Sequence, residues 1–255
     1  MLDALVLSGG ELEYRRFRRL DGSIKRKALI PILGTPMVEW VVRALRSCPR
    51  IQRIAVVGHE SLNSAALKDA GAQLVREVGD ITSNLGAGLK ALDGGRRILI
   101  LSGDLPLITR ESVDDLIDHA PDADFVFPFV ERRHIRRFCP KRRWMYLKTR
   151  DGTITACSAA LCNREVVLDR WRWVENVLNS RRNVVRLATM FGLGFGIWFL
   201  LGRLSLADAE ARVSSVLRLR SRGYSTAFPE LALDVDKQSD IPLVEDHLRQ
   251  RKTAF

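Results

Sequence analysis

Three sets of small or acidic residues, far apart in the chain, have the types needed to act together on a charged ligand. Leu7-Ser8-Gly9-Gly10 closes an apolar run at 4–7. Asp104 stands in Ser102-Gly103-Asp104-Leu105-Pro106-Leu107, just after the apolar run 98–101, and Asp234-Val235-Asp236 ends the run 231–235. Glycines let backbone N–H groups approach phosphate oxygens, and two carboxylates brought together hold a hard dication. The chemistry expected of this combination is the binding of a metal–nucleotide complex. Each set also has a bland reading: Gly9-Gly10 as a tight turn, Asp104 as a helix cap, and a single D-x-D as a chance match. Asp122-Ala123-Asp124 is read as that chance match, because it precedes its apolar run at 125–127.

The elements that must carry these residues follow from the apolar pattern. Short continuous runs at 4–7, 54–57, 98–101 and 125–127 read as buried strands. Between them lie helical periodicities: one opening at Thr35-Pro36 with Met37, Trp40, Val41, Ala44 and Leu45 on a face, others at 61–70 and 84–92, and one capped by Thr109. Alternating strands and helices predict a three-layer α/β fold around a mostly parallel sheet, where ligands gather at the carboxyl ends of the strands. All three polar sets fall at such ends, provided that 231–235 is a strand. A closing helix is expected at 239–249. From 131 to 228 the alternation breaks into a basic loop, a hairpin turning at Asp151-Gly152 and three helical stretches, and this predicts a lid inserted within one domain spanning 1–255.

The order of the motifs also resembles a known family. Leu7-Ser8-Gly9-Gly10, then Lys27-Ala28-Leu29-Ile30-Pro31-Ile32-Leu33-Gly34-Thr35-Pro36-Met37, then Gly103-Asp104-Leu105-Pro106-Leu107, and Asp234-Val235-Asp236 with Lys237-Gln238-Ser239-Asp240 resemble the MobA-like NTP transferases. These are relatives of molybdenum cofactor guanylyltransferase and of the sugar-phosphate nucleotidyltransferases. The resemblance implies a Rossmann-like fold of the nucleotide-diphospho-sugar transferase (GT-A) type and transfer of NMP from an NTP to a phosphorylated acceptor, with Mg²⁺ as cofactor. It implies that Leu7, Ser8, Gly9 and Gly10 wrap the triphosphate, that Lys27 neutralises charge near the α-phosphate, and that Asp104 and Asp236 hold Mg²⁺. Ser83 and Asn84 match the segment that contacts the nucleoside, with helix capping as the alternative. Where the family loop continues Gly-Gly-x-Gly-x-Arg, this chain has Leu12 and Tyr14, so Arg15 or Arg16 is the expected substitute and the loop is expected to be wider.

Composition narrows the partners. The net charge of +11 is concentrated at 15–27 and 132–143, which suits polyanions. Without a helix-turn-helix, zinc-finger or RNA-binding aromatic signature, nucleic acid is disfavoured. Arg136, Arg137 and Arg143 are candidates for the acceptor site. The uncharged run 187–202 is shorter than the roughly 20 residues of a membrane span. It reads as a buried helix or as an interfacial segment, the latter suiting a lipid-like acceptor or a peripheral membrane contact. Four cysteines without metal spacing, and no signal-peptide pattern, point to the cytoplasm. Two other functions stay open: a GT-A glycosyltransferase, disfavoured because the D-x-D lies near the end of the chain, and a non-catalytic nucleotide- or membrane-binding homologue. The oligomeric state, a homodimer included, is not legible in the sequence.

Overall fold

The computed structural model describes residues 1–94, 96–140, 142–180, 184–192, 194–196 and 201–253. The amino-terminal half alternates as expected, except that Thr35-Pro36 does not open a helix but pairs with Pro31-Ile32, and the helix starts uncapped at Met37: β1 (Leu2–Leu7), the short pair β2 (Pro31–Ile32) and β3 (Thr35–Pro36), α1 (Met37–Arg46), β4 (Ile51–Gly58), α2 (Ala65–Asp69), β5 (Ala72–Arg76), α3 (Ile81–Ala91), β6 (Arg97–Ser102), α4 (Arg110–His119) and β7 (Phe125–Glu131). Then come α5 (Arg132–Phe138), β8 (Leu147–Thr149), β9 (Gly152–Ala156), β10 (Ala159–Asn163), α6 (Arg164–Asp169), α7 (Trp171–Ser180) and α8 (Val184–Phe191). The chain closes with α9 (Leu206–Leu217), β11 (Ser221–Thr226) and α10 (Asp240–Thr253).

Nine strands form one sheet in the order β5-β4-β1-β6-β10-β7-β9-β8, with β11 on the other edge of β7. β1 lies between β4 and β6, parallel to both, and its Ala4, Leu5 and Val6 are fully buried. A strand covered on both faces has no solvent side, which is why its sequence is a continuous apolar run. On one face α1 and α4 pack Val38, Val41, Val42, Leu45, Val113 and Leu116 onto Val6, Val56 and Leu101. On the other, α3 sets Leu85 and Leu89 against Leu5 and Val57. Gly88 makes this approach close: a Cβ there would lie 2.3 Å from Leu5 Cδ1 and 2.8 Å from Val57 Cγ2. The amino end of α3 is thereby held beside the end of β1.

A third apolar cluster covers the carboxyl ends of the strands. Leu12 and Phe17 of the basic loop, Ile30, Met37 and Leu107 pack with Leu233 and Val235 and with Ile241, Val244 and Leu248 of α10. The first long loop is thus anchored by two buried apolar side chains despite its polar composition.

Two expectations are corrected. Residues 231–235 are not a strand: Pro229–Ala232 is a single 3-10 turn, followed by an extended segment. Leu231, Leu233 and Val235 are buried as a strand would bury them, but their backbone bonds go to turns and loops, Val235 N–H to the Asp104 carbonyl at 3.1 Å among them. The stretch 131–228, expected as an inserted lid, is divided between roles. It supplies β8 to β11 to the sheet, with β10 lying antiparallel between β6 and β7, while α7, α8 and α9 pack together beside it. The hairpin turns at Asp151-Gly152. Of the apolar run 187–202, Leu193, Ile197, Trp198, Phe199 and Leu200 lie outside the described residues. No described helix is long and apolar enough to cross a membrane.

Candidate active site

The glycine loop, the Asp104 loop and the 234–236 segment meet at the carboxyl ends of β1 and β6. Ser8 N–H donates to the Val57 carbonyl at 2.8 Å, and Gly103 N–H to that of Leu7 at 2.9 Å, so both loops leave the sheet side by side. Gly10 has φ +104°, which an L side chain rarely adopts, and a Cβ on Gly9 would sit 2.6 Å from Asn84 Nδ2. Gly103 faces Ser8 so closely that a Cβ would be 2.0 Å from Ser8 Oγ.

Asp104, Asp234 and Asp236 converge, with one carboxylate oxygen from each lying within 4.8 Å of the others. Lys27, at the start of the 3-10 turn Lys27–Leu29, donates from Nζ to Asp104 Oδ2 at 2.5 Å and to Asp236 Oδ1 at 2.8 Å. Lys27 thus bridges two of the three carboxylates, while the third, Asp234, lies 3.6 Å from Arg142 Nη2. Burial pushes the Asp234 carboxyl up to about 6, helped by the charges of Asp104 and Asp236. Burial acts the same way on Asp236, but the hydrogen bond and charge of Lys27 outweigh it and hold that group below the usual carboxylate range. For Lys27, burial favours the neutral amine, and Asp104 and Asp236 together overcome it and raise the ammonium's pKa.

Arg142 supports the acidic segment from behind. Its guanidinium donates to both carboxylate oxygens of Asp240 and to the Asp234 carbonyl at 2.9 Å, and it stacks on Trp144. Asp240, nearly fully buried, also accepts the N–H groups of Asp236 and Lys237. Ser158, from the bend between β9 and β10, donates to Asp234 Oδ2 at 3.4 Å. Beside this cluster a cleft of about 660 Å³ is lined by Leu7, Gly9, Gly10, Asp80, Asn84 and Ser158, among others.

The structure therefore brings together Leu7, Ser8, Gly9, Gly10, Lys27, Asp104 and Asp236 from the expected set. Asn84 lines the cleft, its Oδ1 accepting from Val78 N–H and its Nδ2 facing the Gly79 carbonyl. Ser83 is exposed on the first turn of α3, where its N–H is capped by Asp80. Arg15 is exposed, and Tyr14, in the place of the family arginine, turns its hydroxyl onto the Gly22 and Ile24 carbonyls. Arg136 and Arg143 line a separate hollow of about 430 Å³ with Arg142, Trp144 and Tyr146, while Arg137 is exposed on α5. Three participants went unassigned in the sequence. Asp234 was half of a D-x-D whose other half took the role. Arg142 lay within a basic block, and Glu77, which contacts Gly10, carried no signal.

Comparison with known proteins agrees with the geometry. The family model for the MobA-like NTP transferase domain matches residues 4–188. The bifunctional protein GlmU of Desulfotalea psychrophila is 31% identical over 96 residues, which cover 36% of this chain and 28% of that protein. Mannose-1-phosphate guanyltransferase alpha-A of Xenopus laevis is 38% identical over 72 residues, 27% of this chain and 17% of that one. The matched stretches thus span under a third of these relatives. A hypothetical transferase from Thermus thermophilus superposes with a TM-score of 0.84 at 29% identity, covering 94% of this chain and all (100%) of that one. A nucleotidyl transferase from Methanothermobacter thermautotroptrophicus, at 18% identity and a TM-score of 0.61, covers 98% of this chain and 99% of its own, and is alike in fold.

Proposed function

The chain belongs to the MobA-like NTP transferase family, and from that premise we propose that it is a Mg²⁺-dependent nucleotidyltransferase. It moves NMP from an NTP to a phosphorylated acceptor and releases pyrophosphate. The observation that carries this reading is Lys27 held between Asp104 and Asp236 at the mouth of the glycine loop, with a cleft of nucleotide size alongside.

The donor set fits a hard dication. All three groups are carboxylates, and Asp104 Oδ1 is buried with no hydrogen-bond partner among the described residues. Asp104, Asp234 and Asp236 would hold Mg²⁺, which would neutralise negative charge on the phosphate oxygens. Lys27 presents its ammonium to the α-phosphate. The N–H groups of the glycine loop receive phosphate oxygens, and Asn84 faces the nucleoside. An oxygen of the acceptor's phosphate attacks the α-phosphorus in line. The bond from the α-phosphorus to the bridging oxygen breaks, and pyrophosphate leaves with that oxygen. A phosphate monoester is already anionic near neutrality, so the chain needs no general base and works by positioning and charge. Arg136 and Arg143, with Arg137 near them, take the acceptor's phosphate. The proposed substrates and the four free cysteines suit a reducing cytoplasm.

The test is a screen of the four NTPs, each with and without Mg²⁺, for a rise in melting temperature. Pyrophosphate release is then measured with a panel of sugar 1-phosphates. If no NTP stabilises the protein in the presence of Mg²⁺, the reading is wrong.

A further inference from the structure

The glycine loop already carries an anion of the protein's own. Gly10 N–H, the donor that a phosphate would need, donates at 3.0 Å to Oε2 of Glu77, at the end of β5. The other oxygen, Oε1, is bound by Arg26 Nη1 at 2.7 Å, and both side chains are largely buried, 17% and 16% exposed. Arg26 reaches this point because the loop folds back on itself. Glu11 and Arg26 pair as an antiparallel bridge, and Leu12 N–H donates to the Lys25 carbonyl at 2.9 Å. The excursion from 11 to 26 therefore returns a guanidinium to within one carboxylate of Gly10, while the Tyr14 hydroxyl is bound to the Gly22 and Ile24 carbonyls and Arg15 is exposed. On the outer side of Arg26 lies a hollow of about 460 Å³ whose polar lining is Lys25, Arg26, Ser23, Tyr14, His59 and Ser61, with Glu11 the acidic group among them.

We infer that Arg26 is the cation that takes the terminal phosphates of the triphosphate, and that Glu77 occupies their place until they displace it. One N–H serves one strong acceptor at a time, and a phosphate oxygen cannot share Gly10 with a carboxylate without like-charge repulsion. When a phosphate arrives, Arg26 exchanges a carboxylate for a phosphate, a partner that its planar fork matches equally well. Glu77 thus keeps Arg26 pre-aimed at the loop in the empty site. The inference deepens the nucleotidyltransferase reading and rests on it. It makes Arg26 a contact for the leaving pyrophosphate, in the role for which Arg15 or Arg16 was the sequence candidate.

The experiment is calorimetric titration of Arg26→Ala, Arg26→Lys and Glu77→Gln with NTP, NMP and inorganic tripolyphosphate. R26A should weaken NTP and tripolyphosphate by about tenfold or more while leaving NMP affinity within about twofold, and R26K should recover part of the loss. E77Q should bind tripolyphosphate several-fold more tightly, because the competing charge is gone. Equal loss of NMP and NTP in R26A would mean a collapsed loop, and would overturn the inference. So would unchanged NTP affinity in R26A, or weaker tripolyphosphate binding in E77Q. If the wild type binds tripolyphosphate but no NTP, the nucleotidyltransferase reading fails while R26A still decides the role of Arg26. If it binds neither, both fail.

Discussion

Replacing Asp104 by Asn tests the carboxylate cluster most directly. In the free protein the substitution should be nearly neutral. Lys27 loses one charged partner but keeps Asp236, and the new amide oxygen can still accept its hydrogen bond. Against that loss stands the repulsion among Asp104, Asp234 and Asp236, whose oxygens lie within 4.8 Å of one another. At that separation each like-charge pair is worth about 3 kcal/mol at an effective dielectric of about 20, before screening by solvent. The lost ion pair, partly exposed on both sides, is of similar size, so the net change should stay within about 1 kcal/mol. Unfolding entropy for a chain of this length is on the order of 0.5 kcal/mol per degree, so the melting temperature should move by no more than about 2 °C.

With ligand the two proteins should separate. Mg²⁺ and NTP at about a hundred times Kd stabilise the wild type by about 2.7 kcal/mol, or roughly 5 °C. In D104N one of three hard oxygen donors has become a neutral amide, so most of that increment should vanish, and pyrophosphate release should fall at least about a hundredfold. Differential scanning with and without Mg²⁺·NTP, and a coupled pyrophosphate assay, read both effects. An unfolded D104N would make Asp104 structural. A full ligand increment, or undiminished turnover, would show that the reacting phosphates are held elsewhere.

Other consequences are equally open to measurement. Asp234 has a folded-state pKa of about 6, above its ordinary value, so it stabilises the fold below about pH 4 and that contribution is lost as pH rises through about 6. Asp234→Asn should therefore melt higher than wild type at pH 7, by a few degrees, and flatten the pH dependence between about 4 and 7. A wild-type melting curve already flat over that range would refute this. Arg142→Ala strands the buried Asp240 carboxylate and frees the acidic segment, so it should cost about 3 kcal/mol and weaken NTP binding, both visible by denaturant titration and calorimetry. Gly88→Ala drives a methyl into Leu5 and Val57 beneath β1 and should cost about 1–3 kcal/mol in chemical unfolding, whereas an unchanged midpoint would mean that α3 shifts freely.

The parts of this protein legible in one dimension are those set by local pattern. Buried parallel strands appear as unbroken apolar runs, so β1, β4 and β6 stood out. With them came the rule that their carboxyl ends carry the ligand, which drew Gly9, Gly10 and Asp104 into one site. Apolar spacing reports burial, however, and not the partner of each backbone group. Leu231, Leu233 and Val235 are buried as a strand would be, yet Pro229 opens a turn and the segment reaches the site as a loop. Residues 159–163 gave no sign of lying antiparallel between β6 and β7, since both partners are distant in the chain, as Leu161 opposite Val126 and Leu99 shows. The same distance hid the electrostatics. Composition and motif order named Lys27, Asp104 and Asp236 one by one, but only the folded chain sets that ammonium between two carboxylates 77 and 209 residues away. Glu77 and Arg26, 51 residues apart, meet at Gly10 because β5 and the returning loop end side by side. Charge–charge energies change over a few ångströms, and separations of that size are fixed by packing, which no local pattern in the chain records.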